Sequence, residues 1–127
     1  MSLNLFHYPK SDLVITKIAP NGNFIFSKEY IGGGRNFGGF NSIYQNHKKH
    51  LLIAAFITDV TSRITGKTGC VIELDTMGNV LHCFQTDTFR PVKILELPNG
   101  NYAVSGDIDN STFNTALAMF DSTWHLL

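Results

Sequence analysis

The feature that most narrows the folding options of this 127-residue chain is that it repeats itself. Ile15-Thr16-Lys17-Ile18-Ala19-Pro20-Asn21-Gly22-Asn23 aligns with Val71-Ile72-Glu73-Leu74-Asp75-Thr76-Met77-Gly78-Asn79, with Gly22 and Gly78 standing 56 residues apart. Tyr44 to Ala55 aligns with Leu95 to Gly106 at a distance of 51 residues. A third, partial copy, Ala118 to Trp124, follows Glu73 to Val80 in outline but lacks the turn glycine. A period of about 50 residues marks supersecondary units that stack on their neighbours, because one unit alone cannot bury its apolar faces.

The units themselves read as strands. Short runs of Val, Ile, Phe, Tyr and Thr alternate with Gly, Pro, Asn and Asp clusters. They predict about ten strands: Leu3 to Tyr8, Leu13 to Ala19, Asn23 to Tyr30, Ser42 to Gln45, Leu51 to Ile57, Gly69 to Asp75, Val80 to Gln85, Val92 to Leu97, Tyr102 to Gly106 and Ala116 to Leu127, the last broken near Ser122. Ser42 to Ala55 also fits a helical period through Ile43, His47, Leu51, Ala54 and Ala55. Its repeat partner decides against a helix, since Asn99-Gly100 in the second copy signals a two-residue hairpin and implies a matching turn at Lys48-Lys49. The expected architecture is a single all-β domain, 1–127, of antiparallel four-stranded units: a partial one over 3–30, one over 42–85 and one over 92–127. An up-and-down β-barrel with an internal cavity for a small apolar ligand is the alternative, and ten Phe residues are compatible with it.

The stretch Asp12 to Asn23, followed by Lys28-Glu29-Tyr30-Ile31-Gly32-Gly33, resembles a family of bacterial β-propeller repeats. In that family a K-[IL]-D-x-x-G-N hairpin precedes an aromatic strand and a Y-G-G loop, and a D-G-G-Y-[IV]-x-x-G type hairpin follows. Cys70 to Gly78 is similar to the first half and Ile94 to Gly106 to the second. The chain departs from the pattern where Ala19-Pro20 replaces the acidic position, where Lys48-Lys49 replaces the glycines and where Ile31 splits the Tyr-Gly-Gly. The resemblance implies a partial propeller of about two and a half units that serves as a scaffold for recognition, a fold that hosts many unrelated functions.

Composition closes off several classes of partner. Lys plus Arg and Asp plus Glu both number 10, so the chain lacks the positive field that nucleic acid or an anionic membrane attracts. The longest apolar run, Leu51 to Ile57, has the length of a strand and falls far short of the roughly 20 residues of a transmembrane helix. The N-terminus shows no charged segment followed by a long apolar stretch, so no secretion signal is expected there. Two cysteines do not make a disulfide framework. A hairpin turning at Met77-Gly78 would set Ile72 opposite Cys83 and Cys70 diagonal to it, and both thiols are read as buried and free. Nothing in the sequence indicates a compartment.

In an up-and-down chain the connections alternate ends, which gives this protein two unlike faces. One carries the tight turns Asn21-Gly22, Lys48-Lys49, Met77-Gly78, Asn99-Gly100 and Ser122-Thr123; the other carries the long loops Ile31 to Phe40, Thr58 to Thr68, Thr86 to Pro91 and Asp107 to Asn114. Binding residues concentrate on loops held by a rigid scaffold. The candidate binding residues are therefore Arg35, Asn36, Asp59, Arg63, Asp87, Arg90, Asp107 and Asp109, with Lys67 beside them.

Motif-like strings give no firmer chemistry. Gly66-Lys67-Thr68 ends like a P-loop, but Thr61 stands at the required glycine and a strand follows. Gly32-Gly33-Gly34-Arg35-Asn36-Phe37 lacks the third glycine of a dinucleotide fingerprint. Asp107-Ile108-Asp109-Asn110-Ser111 starts like a calcium loop without its sixth-position Gly or twelfth-position Glu, so no metal is expected there. His47 and His50 flank the Lys48-Lys49 turn and read as solvated, while His82 and His125 read as half-buried strand residues. Asn110-Ser111-Thr112 is a glycosylation sequon, meaningful only in a secreted eukaryotic protein.

No catalytic residue and no cofactor is expected. The favoured function is a non-catalytic module for recognition or scaffolding, with a protein or carbohydrate ligand at the long loops. Its open sheet edges would pair with further copies or with the remainder of a longer chain. The apolar-ligand barrel stands second, and a propeller-type hydrolase or lyase third.

Overall fold

Among the described residues, nine antiparallel strands follow from the alternation of β-branched or aromatic runs with turn residues: β1 (Leu13–Ile18), β2 (Phe24–Tyr30), β3 (Asn36–Gln45), β4 (Leu51–Thr58), β5 (Lys67–Leu74), β6 (Val80–Thr86), β7 (Phe89–Glu96), β8 (Tyr102–Ile108) and β9 (Asn114–Phe120). The computed structural model describes residues 13–30, 36–58, 67–86, 89–108 and 114–127; the strand expected at Leu3 to Tyr8 lies outside them. The strands form three sheets, β1-β2, β3-β4-β5-β6 and β7-β8-β9, none of them closed into a barrel. The helical alternative over Ser42 to Ala55 is replaced by the β3-β4 hairpin, and the barrel reading falls with it.

β3 is longer than its sequence suggests. Part of the glycine-rich stretch expected as a loop pairs with β4 instead, through register shifts at Phe37/Gly39 and Phe40/Ser42. A bulge tolerates glycine where a regular ladder would not favour it, and so the strand continues to Asn36. At the other end of the chain the segment Ala116 to Leu127 is interrupted near Ser122, as its sequence indicates: β9 stops at Phe120, and the chain turns and returns so that Phe120 bridges Leu126.

One turn occurs five times among the described residues. In each, the first residue's carbonyl accepts from the fourth residue's N–H and its own N–H donates to the fifth residue's carbonyl: 19–23, 46–50, 75–79, 97–101 and 121–125. The expected two-residue hairpins are therefore three-residue connections, a type I turn followed by one left-handed residue. That residue is Gly22, Gly78 or Gly100 in three copies, and Lys49 (φ 65°) or Trp124 (φ 67°) in the other two. The bulge leaves the fifth residue's N–H without a ladder partner, and in every copy an Asn or Asp side chain supplies one. Asn46, Asp75 and Asp121 do so from the first position of the turn, whereas Asn21 and Asn99, each following a proline, do so from the third. The Asn and Asp of these segments are present because a specific amide needs an acceptor.

The inner strands of the central sheet, β4 and β5, are covered on both faces. Ile53, Ala55 and Ile57 of β4 and Cys70, Ile72 and Leu74 of β5 pack on Leu13, Ile15 and Tyr30 of the first hairpin. Leu52, Ala54 and Val71 point the other way, onto Ile94, Tyr102, Val104 and Phe120 of the third sheet, with Trp124 beyond it. Strands buried on both sides read as unbroken apolar runs, and Leu51 to Ile57 is one. The sheets come closest near Gly69, where an added Cβ would lie 1.9 Å from the Phe89 carbonyl oxygen. The first hairpin lies across the end of the β5-β6 hairpin: Tyr30 donates to the Gly78 carbonyl (2.7 Å), Lys28 reaches Asn79 Oδ1 (2.8 Å) and Phe26 covers Gly78.

The register sets Ile72 opposite Cys83, as the hairpin spacing implied, and both cysteines are free thiols. Cys70 is buried, which pushes its thiol up to about 12, but Cys83 is exposed on β6, an outer strand, against the expectation of burial.

Gly78 and Gly100 share a positive φ but not surroundings. An added Cβ meets the Phe26 ring at 2.7 Å at Gly78 and nothing within 4 Å at Gly100. Gly100→Ala should lower stability by about 1–2 kcal/mol through left-handed strain alone, and Gly78→Ala by a further ~1–3 kcal/mol through overpacking. Chemical denaturation of the two variants measures the difference; equal losses would mean that the first hairpin does not sit on this turn.

Candidate functional site

The second and third sheets are stacked face to face with the turns at 46–50, 97–101 and 121–125 on one rim. At the turn rim Glu73 is the centre of a buried network. It occupies β5 between Ile72 and Leu74, is 5% exposed, and faces the third sheet. Its Oε1 shares a hydrogen bond with His50 Nδ1 (2.8 Å) and its Oε2 accepts from Trp124 Nε1 (3.2 Å). Tyr102 stacks on Trp124 at 4.6 Å between ring centroids, and its hydroxyl accepts from Asn46 Nδ2 at 3.1 Å. Burial raises the Tyr102 phenol above its ordinary value. Beside this group the Glu96 carboxyl takes the His47 backbone N–H (2.7 Å) and pairs with His47 Nδ1.

These contacts join turns of different sheets. His50 belongs to the β3-β4 connection, Glu73 to β5 and Trp124 to the turn after β9. Both carboxyl oxygens of Glu73 are engaged, and its depth keeps solvent away, so the group acts as a tie between layers. The left-handed backbone of Trp124 costs roughly 1–2 kcal/mol. Burying an indole against Tyr102, Phe84 and Phe120 offsets it.

At the opposite rim lie Arg90 and Asp107, two of the residues singled out from the sequence. Arg90 and Asp107 sit directly across from each other on β7 and β8, and Arg90 Nη2 lies 3.5 Å from Asp107 Oδ2. The Arg90 guanidinium also lies over the Phe56 ring, 5.7 Å from its centroid, which fixes it by a cation–π contact. Its Nε is buried with no hydrogen-bond partner among the described residues. Asn36 and Lys67 open β3 and β5, each paired with Thr58 across the ladder, so their backbones share one end of the central sheet. Arg35, Asp59, Arg63, Asp87 and Asp109 lie outside the described residues.

The histidines are placed differently from the sequence reading. His50 is half-buried and bonded to Glu73, where a solvated turn residue was expected. His82 and His125 are exposed, and His125 lies in the last turn, off any strand. Among the described residues no three His, Cys, Asp or Glu side chains converge as a metal site would require. No helix among them is long and apolar enough to cross a membrane. The Glu73 network escaped the sequence reading, although one signal was present: a lone acidic residue inside an otherwise apolar run, Cys70-Val71-Ile72-Glu73-Leu74.

A scan against models of known protein families finds no match for this chain, and neither does a search of the curated proteins.

Removing Glu73 strands the buried Trp124 indole N–H and takes the partner from the half-buried His50 ring. Glu73→Ala should destabilise the protein by about 2–4 kcal/mol and Glu73→Gln by less, because an amide keeps one acceptor. Denaturation midpoints and near-ultraviolet dichroism of Trp124 report both. Asp121, which accepts from the His125 and Thr123 amides and the Thr123 hydroxyl, has its carboxyl lowered from 3.8 to about 2 by those bonds. A carboxyl held low in the folded state adds stability above its unfolded value and loses it as pH falls toward the folded one. The stability difference between wild type and Asp121→Asn should be constant above pH 3.8 and shrink toward pH 2. A difference that persists undiminished at pH 2 would contradict this role.

Proposed function

We propose that this protein is a non-catalytic recognition or scaffolding module of β-propeller type, which takes a protein or carbohydrate ligand at its long-loop rim. The observation that carries this reading is the unlike chemistry of the two rims. At the turn rim, side chains from successive sheets satisfy one another in a buried network. At the loop rim, Arg90 is positioned by Phe56 yet keeps donor capacity beyond its single 3.5 Å contact with Asp107. A guanidinium held over a ring suits a carboxylate or vicinal hydroxyls, which it can meet with two parallel N–H groups.

The propeller assignment is supported by the serial stacking of sheets, by the turn that recurs in each, and by the sequence repeat that the stacking follows. Units of this kind associate with further units, whether in other copies or along a longer chain, since uncovered sheets are unstable alone. Arg35, Asn36, Asp59, Arg63, Asp87 and Asp109 are assigned to the same rim by connectivity.

Labelled protein applied to glycan and peptide arrays tests the reading. Arg90→Ala should weaken any specific binding by roughly tenfold or more, as expected of an arginine hot spot, while Lys48→Ala at the opposite rim should not. Binding that survives Arg90→Ala and is lost in Lys48→Ala would place the ligand at the wrong end for this proposal.

A further inference from the structure

The two outermost faces of the stack are apolar, and each repeats a face that is covered inside the molecule. On the third sheet, Lys93, Ser105 and Leu117 align across the ladder, as do Leu95, Ala103 and Met119. Leu117 is 70% and Leu95 55% exposed, and this face lines a groove of about 490 Å³ together with Tyr44 of β3. By the 51-residue repeat, Leu95, Ala103 and Ser105 correspond to Tyr44, Leu52 and Ala54. Those three residues belong to the face of the central sheet that the third sheet covers.

At the other end, Val14, Thr16 and Ile18 form the outer face of β1, with Val14 58% and Ile18 60% exposed. Phe24, paired with Ile18, is 67% exposed. By the 56-residue repeat, Val14, Thr16 and Ile18 correspond to Cys70, Ile72 and Leu74. These lie on the face of the central sheet that the first hairpin covers.

Each internal junction thus joins the same two kinds of face. The Tyr44-type face of one sheet meets the back of the next, and the exposed ends of the stack are one of each kind. They are complementary to each other and unlike themselves, which excludes a two-fold junction of like with like and favours a heterologous one. Contiguous apolar surface of this sort marks an interface.

We propose that copies of this chain assemble head to tail, the open face of β7-β8-β9 in one copy receiving the open face of β1-β2 in the next. The occupant is a second copy because this chain carries the repeat-equivalent of the face that the groove would accept. The proposal rests on the modular reading given above but does not depend on what the loop rim binds. The junction reproduces the two that already exist inside the molecule, and it ends either in a closed ring or in a growing filament, according to the angle between units.

Sedimentation velocity and light scattering of the full chain test it. Wild type should exceed the monomer mass. Leu117→Glu, which spoils one face, and Ile18→Glu, which spoils the other, should each be monomeric. Mixed in equal amounts they should form a discrete 1:1 dimer, since each retains the face that the other lacks; a symmetric interface would not be restored by mixing. Leu95→Lys and Val14→Lys form a second pair if either glutamate variant loses its far-ultraviolet β-sheet spectrum. A monomeric wild type, single variants that still associate, or a mixture that stays monomeric would each overturn the proposal. Array binding that still depends on Arg90 in a monomeric protein would leave the recognition reading standing while this one falls.

Discussion

The structure depends on the inner strands of the central sheet, β4 and β5, which have no solvent-facing side. β4 alternates Leu52 and Ala54 toward the third sheet with Ile53, Ala55 and Ile57 toward the first hairpin, and all five are nearly inaccessible. A sheet of this composition cannot exist as a single layer in water, at roughly 25 cal/mol for each Å² of apolar surface left uncovered. Both neighbours are therefore required, and the three layers are interdependent. The same requirement propagates outward, because the covering sheets bring apolar outer faces of their own, with Leu117 on one side and Ile18 on the other.

The recurrent turn is what allows such layers to be built from a continuous chain. Its type I geometry with a left-handed fourth residue reverses the strand, and its side-chain acceptor satisfies the amide that the bulge leaves over. Two copies depart from glycine, with different consequences. Lys49 is exposed at the rim, whereas Trp124 sends its indole inward to Glu73 and Tyr102. The last turn is thereby a packing element as well as a connection, which is why the third, imperfect sequence copy ends on a tryptophan where a glycine is expected.

Polar ties between the apolar layers brace one rim of the molecule. Glu73 with His50 and Trp124, and Asn46 with Tyr102, hold the turns of the second and third sheets in a fixed relation. Gly69 lets the Phe89 carbonyl approach at the far end and so sets where Arg90 emerges. A charged group placed by backbone contact and by the Phe56 ring is positioned by the scaffold, the arrangement in which loop chemistry can vary without disturbing the fold.

Strand order, hairpin connectivity and the register of Ile72 with Cys83 were legible in the residues, because each depends on local signals: alternation, turn glycines and the spacing between them. Local signals also carried the mistakes. The glycines before Phe40 spelled a loop although β3 absorbs them as bulges, and Asn99-Gly100 spelled a two-residue turn although the third residue closes it. Of the rim residues chosen from the sequence, Arg90 and Asp107 are brought together across one ladder, and that pairing follows from register. What the chain could not reveal by itself was which faces meet. Glu73 and His50, 23 residues apart, meet across the β4-β5 ladder, where Leu52 stands opposite Glu73, but Glu73 and Trp124 are 51 apart and in different sheets, and no spacing rule relates them. Only the stacking of one sheet on the next carries Trp124 onto Glu73 and buries the network, because burial is a property of layers and not of segments.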